Sequence, residues 1–283
     1  MRTDCEGCAG CCVDWRPLAP TLPDRERRGR YRPVDDTYNL AVCSRSDVRR
    51  FLEAGHADAL VPRLFRAEAG VDVGGETLAA VDGRAAFLVG LRKVPKPVAP
   101  FDVDPRWLDA CVFLDPETLQ CRIHDDPLYP EDCADYPGHD LLFDRETECE
   151  RVEAHVGGTR LLDDDPPESF RGLRFGRQAL GEKVFVAPES VDEAVLTRLV
   201  DGSATDDDRA RLVAAAAASA PGTATVAGAR FDDALDAARD ADSWVGRAAA
   251  DWRDRAESGA RPIPGLGEAV EEDRGAPPTP GWS

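Results

Sequence analysis

Four cysteines within eight residues, Cys5-Glu6-Gly7-Cys8-Ala9-Gly10-Cys11-Cys12, constrain the fold of this chain more than anything else in its 283 residues. A thiolate binds soft or borderline metals. CxxC spacing lets two sulfurs approach one ion while the turn between them aims backbone N–H groups at the sulfurs. Gly7 and Gly10 suit such a turn, because a residue without Cβ takes positive φ and lets the backbone pass close to an ion. Cys5, Cys8 and Cys11, two residues apart, also match the spacing with which iron–sulfur proteins hold three corners of a cluster, the fourth thiolate coming from elsewhere. Cys12 is then in excess. Residues 1 to 36 show no hydrophobic period, so a metal rather than an apolar face is expected to order them.

A second run supplies more ligands: Cys111, Cys121, Cys133 and Cys149, separated by nine, eleven and fifteen residues. Eight cysteines in two groups allow two four-thiolate sites. The ninth, Cys43, lies in LAVCSRSDVRRFLEAG ahead of an amphipathic pattern and is expected to be a buried small hydrophobe. Only four residues precede Cys5 and no long apolar run follows, so neither a signal peptide nor a membrane span is expected. A reducing, cytoplasmic setting follows, in which this pattern means metal or catalysis more often than disulfides. Two further readings stay open. A closed four-thiolate zinc site would serve only to fold its host, and spacing alone does not separate zinc from iron. A redox dithiol would need a βαβ context that the first forty residues do not offer.

The stretch CVFLDPETLQCRIHDDPLYPEDCADYPGH, Cys111 to His139, together with the opening CEGCAGCC, resembles the CxxCxxCC cysteine-cluster family of zinc- or iron-chelating proteins, the YkgJ-like family. That family continues its opening cluster with C-x-x-L, C-x-I-Y, R-P-x-x-C and an aromatic-Pro pair. These elements correspond here to Cys111–Leu114, Cys121–His124, Tyr129–Cys133 and Tyr136-Pro137. His124 stands where the family has an aromatic residue and Tyr129 where it has arginine. The resemblance covers roughly residues 1–155 and implies metal chelation through Cys5, Cys8, Cys11, Cys12, Cys111, Cys121, Cys133 and Cys149. The cofactor it implies is zinc or an iron–sulfur cluster, the 4Fe–4S type included. A related group with the same cysteine cluster comprises flagellin lysine N-methylases. His124 and Tyr136 are expected beside the ligands, as hydrogen-bond partners rather than as ligands. His139 and His155 trail Cys133 and Cys149 and receive no assignment.

The charge balance bears on habitat and partners. The chain has 35 Asp and 19 Glu against 32 Arg and three Lys (Lys93, Lys96, Lys183), a net charge of −19. So acidic a surface suits concentrated salt, where the Debye length shrinks to about 3 Å and self-repulsion is muted; a halophilic origin is the hypothesis. Nucleic acid is not an expected partner, since phosphate binding needs a basic footprint. The one basic run, Arg25, Arg27, Arg28, Arg30 and Arg32, is interleaved with acids and reads as a solvated or salt-bridged loop. Neither a membrane nor a nucleic acid is expected as partner; a protein partner is compatible with the pattern, without identification.

Punctuation gives an α+β organisation. A helix is expected over 46–54, capped by Ser44 or Ser46, and another over 56–67. A strand is expected over 85–91, a turn-rich connection over 93–105, and a hairpin joining 111–114 to 120–123. Alanine-rich helices are expected over 191–199, 206–220 and 231–256, with Trp244 and Trp252 as core anchors. Residues 260–283, rich in Pro, Gly and Glu, are expected to be disordered. The expected units are thus a small irregular cysteine-cluster domain of short helices and a hairpin (1–160), a helical segment (161–259) and a tail (260–283). The triple aspartates at 163–165 and 206–208 read as loop and cap residues. Two functions remain open. One is a metal-binding protein in electron transfer or metal handling; the other is a protein-modifying transferase that uses the cluster as scaffold.

Overall fold

In the computed structural model, which describes residues 1–19, 32–166, 168–171, 174–279 and 281, the apolar run at 85–91 becomes the strand Arg84–Leu91 of an α+β fold. Its neighbours are Leu60–Val73 on one side and Phe185–Val186 on the other, all antiparallel, in a sheet extended by Arg32–Pro33, Glu76–Leu78 and Ala80–Val81. The register Leu60↔Leu91 through Leu64↔Phe87 puts these four side chains in the core.

The helix expected over 56–67 does not form. A single turn, Ala57–Ala59, leads into the long strand Leu60–Val73. Pro62 lacks the amide a helix interior needs and pushes Val61 out of the helical region, so the sheet partner decides. The expected turn-rich connection after residue 92 is also a strand, Lys93–Val98, paired with Arg106–Cys111 from Lys93↔Cys111 to Val98↔Arg106. Pro95 and Pro97 are tolerated because Lys93–Val98 is an edge strand of a two-stranded ribbon. The hairpin expected after Cys111 contracts to one bridge, Leu114↔Cys121, closed by the Asp115 N–H donating to Gln120 O at 2.8 Å.

Helix starts follow their caps. Arg45–Glu53 begins at Ser44, whose hydroxyl and Asp47 form a reciprocal capping box, and Val48, Phe51 and Leu52 face the core. Further helices are Glu193–Val200, Asp206–Ala218, Gly228–Arg239 and Trp244–Glu257. The one helix expected over 231–256 is two, broken at 240–243. There the Asp58 carboxylate accepts the Ser243 N–H (3.0 Å), the Ser243 hydroxyl (2.7 Å) and the Gly246 N–H (3.2 Å), fixing a new N-terminus. Trp244 and Trp252 are buried, as expected of anchors. Of the triple aspartates, 206–208 open a helix, with Thr205 and Asp208 as its capping box and Arg198 paired to Asp208 at 2.5 Å. Thr205→Ala is expected to lower stability by about 1 kcal/mol. A urea titration in which the midpoint does not move would contradict this.

The main hydrophobic core runs from Ala9 to Val270 and takes in both sheet and helices, and a smaller one gathers Cys8, Trp15, Ala19, Tyr38 and Val152, so neither begins near residue 160. The tail expected to be disordered carries the helix Leu266–Val270 and the turn Glu272–Arg274. What holds it is a carboxylate. Glu271, fully buried, pairs with Lys96 (2.6 Å) and Arg122 (2.9 Å), both also buried, and accepts the Trp252 indole N–H at 2.9 Å. Lys96 also donates to Val112 O (2.9 Å) and Leu114 O (2.6 Å), and Arg122 pairs with Asp115 at 3.1 Å. Pro/Gly-rich composition hides this, because two buried cations, together with the burial of Val270, fix the segment. Among the described residues no helix is long and apolar enough to cross a membrane. The basic run lies outside the described residues except for Arg32.

Candidate metal centre

The opening cysteines wind into consecutive turns, in which the Cys8 N–H donates to Cys5 O (3.1 Å), and the Cys12 and Val13 N–H groups to Ala9 O (2.9 and 3.0 Å). Gly7 takes φ +66°, the left-handed conformation its position requires. Gly10 is required for a different reason: a Cβ there would sit 2.8 Å from Val152 Cγ2 and 3.4 Å from the Cys8 sulfur. Its own N–H points at the Cys8 sulfur at 3.4 Å, as a backbone donor to a thiolate does. The chain then joins the Arg106–Cys111 strand. Cys12 O accepts the Cys111 N–H at 2.9 Å, Val13 bridges Ala110, and the Asp14 N–H donates to Asp109 O at 2.7 Å. Cys12 therefore lies beside Cys111.

The other thiols arrive on separate elements. The Leu114↔Cys121 bridge folds Cys121 back toward Cys111. Cys133 sits on the short helix Glu131–Ala134, its carbonyl accepting the Tyr129 hydroxyl at 3.3 Å. Cys149 lies in the first turn of Glu148–Val156, a helix started by the Thr147/Glu150 capping box. Glu148 ties that helix to the N-terminal loop: its buried carboxylate accepts the Trp15 indole N–H (2.7 Å) and the Tyr38 hydroxyl (2.6 Å), while its own N–H donates to the Tyr136 hydroxyl (2.7 Å).

All eight cysteines that the sequence singles out as ligands line one cleft of about 2140 Å³, together with His124, Tyr129, Tyr136 and Lys93. Cys43 does not line it and is fully buried, as expected of a small hydrophobe. Cys11 and Cys12 bring their sulfurs to 3.8 Å. Among the described residues no three of the cysteine sulfurs come within 4.8 Å of one another; the one group that does meet this spacing is Asp163, Asp164 and Asp165, on an exposed segment. A tetrahedral zinc with bonds of about 2.3 Å would need all four sulfurs roughly 3.8 Å apart. Cys11 and Cys12 stand at that edge length, and among the described residues no third cysteine sulfur joins them within 4.8 Å.

Charge in the cleft is uneven. Burial pushes the Cys121 and Cys133 thiols well above their ordinary range, Cys111 up to about 11 and Cys149 up to about 12. Cys12 is the exception: the hydrogen bond from Cys11 lowers it to about 7, with help from Lys93 and Lys96, and Cys11 rises in compensation. Lys93 pairs in register with Cys111, and its Nζ is buried without a hydrogen-bond partner among the described residues. Burial lowers its pKa, and the groups favouring its charge are Cys12, Cys111 and Cys11 in that order. Lys183 pairs with Asp132, next to Cys133, at 2.6 Å. All three lysines of the chain therefore stand at or behind the cysteine cleft.

Sequence reasoning passed over these lysines and Glu148. A signal was present, since three lysines among 32 arginines mark places where a compact ammonium is used instead of a planar fork. Of the expected neighbours, Tyr136 stands where Cys11 and Cys149 act on it. His124 is half exposed, 3.1 Å from Asp125, its ring 5.0 Å from that of Tyr129. His139 faces Asp132 at 3.5 Å and Phe170, and His155 packs on Trp15.

A family model described as a family of unknown function, DUF7531, matches residues 1–283. No curated protein and no solved structure matches the chain.

Proposed function

The chain belongs to this family of unknown function, and from that premise we propose that it is a metal-binding protein whose eight cleft cysteines hold iron–sulfur or zinc. One observation carries the reading. Cysteines drawn from two runs a hundred residues apart line one cleft, while the ninth, which the sequence set aside, is buried and does not line it. The donor set is all-thiolate, with buried lysines beside it to offset anionic charge, which fits soft or borderline metals. The resemblance to CxxCxxCC cysteine-cluster proteins points the same way.

Between the two metals the spacing along the chain favours iron. Three thiolates at two-residue intervals, with further thiolates from a distant run, match the grip of an iron–sulfur cluster, of 4Fe–4S type. Such a centre supplies one-electron redox chemistry when bound, and electron transfer or metal handling in the cytoplasm is the corresponding role.

The test is metal and acid-labile sulfide analysis, with a visible spectrum, on protein purified without oxygen in high salt. Brown protein with stoichiometric iron and sulfide is the expected result. Colourless protein with tightly held zinc would leave the metal reading and overturn the preference for iron. Protein with neither metal would overturn the reading itself.

A further inference from the structure

The two cysteine runs along the chain are not the two groups in space. Cys12 leaves the opening cluster at its last position and hydrogen-bonds the Cys111 backbone, and Cys121 folds back through the Leu114 bridge. Cys12, Cys111 and Cys121 pack into the main core that holds the strands 84–91 and 93–98. Cys133 completes this set: the thiols whose charges act on it are, in order, Cys12, Cys111 and Cys121, followed by the fully buried Cys43, which does not line the cleft.

Cys8 belongs elsewhere. It packs in a second, smaller core with Trp15, Ala19, Tyr38 and Val152, and Val152 lies on the helix that carries Cys149. A Cβ at Gly10 would collide with the same Val152, so the opening turns run close against that helix. Cys149 in turn faces Cys5 and Cys8. Cys11 stands at the junction, beside Cys12 and next nearest in charge to Cys5.

We infer that the cleft holds two adjacent four-thiolate centres that exchange one ligand between the runs: Cys12, Cys111, Cys121 and Cys133 form an inner centre, and Cys5, Cys8, Cys11 and Cys149 an outer one. This rests on the metal-binding reading proposed above and deepens it. Each centre takes three cysteines from one run and its fourth from the other. The excess residue of CxxCxxCC and the distant Cys149 thereby acquire the same explanation. An exchange of this sort has precedent in ferredoxins with two clusters, where the fourth cysteine of a run ligates the other cluster. The centres differ in surroundings. Lys93 and Lys96 face the inner one, whereas the outer one includes the exposed Cys5 and has Arg160 acting on Cys8.

The experiment is metal per chain in the full-length protein, reconstituted anaerobically with ferrous iron and sulfide and, separately, with Zn2+. Cys12→Ser and Cys121→Ser are each expected to hold half the wild-type metal, and so is their double variant, since both lesions fall in one centre. Cys8→Ser and Cys149→Ser, singly and together, are expected to hold the other half. Cys12→Ser combined with Cys8→Ser is expected to hold none. If instead Cys12→Ser combined with Cys8→Ser retains half, the runs do not exchange ligands and the inference fails while the metal reading stands. A wild-type protein that binds one centre's worth fails it in the same way, and one that binds no metal overturns the reading beneath it. A second measurement does not depend on the variants folding: stepwise chelation of the wild type followed by alkylation and mass spectrometry. Cys5, Cys8, Cys11 and Cys149 are expected to become labelled as one set, apart from the other four. Labelling of Cys12 with Cys8, ahead of Cys121, would overturn the partition.

Discussion

Glu271→Ala is expected to lower folding stability by about 3–5 kcal/mol, because it strands the buried charges of Lys96 and Arg122 without their shared carboxylate. That is a large part of the roughly 5–15 kcal/mol that holds an ordinary domain together. The effect extends beyond the tail. Lys96 donates to Val112 O and Leu114 O, so disorder at its ammonium is transmitted to the connection between Cys111 and Cys121. Metal retention should therefore fall with stability. Denaturant unfolding checks the first point and metal analysis the second; a loss below about 1 kcal/mol would mean that water reaches the cations and the triad is not buried in solution. Replacing Lys96, Arg122 and Glu271 together by apolar residues of similar volume, with Asp115→Asn so that the carboxylate paired to Arg122 is not stranded, is expected to restore much of what the single change removes.

Stripping the metal is expected to have a larger effect than any side-chain substitution. Apparent binding energies for structural zinc in small thiolate sites run to about 10–16 kcal/mol near neutral pH, and binding energy to a site that forms only on folding is folding energy. The opening turns at residues 5–11 carry three thiols of the outer set, so chelation should expose them first, while Cys12 stays with the Cys111 strand. Calorimetry with and without chelator, and limited proteolysis, read this out; an unchanged melting temperature in metal-free protein would sink it. Acidity acts in opposite directions on the two forms. Ligating thiols must be deprotonated, so the loaded protein weakens as pH falls. In the metal-free fold, burial raises Cys111 from the ordinary value of 9.0 to about 11 and Cys149 to about 12. The folded state then binds more protons than the unfolded one above pH 9.0, and the stability of the metal-free form, fully present below that value, is lost as pH rises through the folded values.

What was legible in the sequence was chemistry and punctuation. Thiol spacing picked out the eight residues that line the cleft and set Cys43 apart, Ser44 announced its helix through a side chain that satisfies the first free amides, and the aspartates at 206–208 marked the start of theirs. What escaped was fixed by partners distant in sequence. Leu60–Val73 is a strand because Arg84–Leu91 lies beside it, and Lys93–Val98 because an edge of a ribbon excuses Pro95 and Pro97. The segment around Glu271 is held by Arg122 and Lys96, about 150 and 175 residues upstream, which no local composition records. The cysteine runs misled in a similar way, since sequence adjacency groups Cys12 with Cys11 while the strand at 106–111 places it beside Cys111.

The closure of the cysteine fold by a late segment sets an order of events during synthesis. Arg122 donates to Pro277 O, Gln120 accepts the Gly281 N–H, and Glu271 neutralises the cations behind Cys111 and Cys121. A ribosome adding about 5–20 residues per second delivers Glu271 roughly ten to fifty seconds after Cys12. For much of that interval the first thiols are without their finished cradle and open to oxidation. On the metal-binding reading, the complete site forms only after Glu271 has been made, and the thiols have to stay reduced until then.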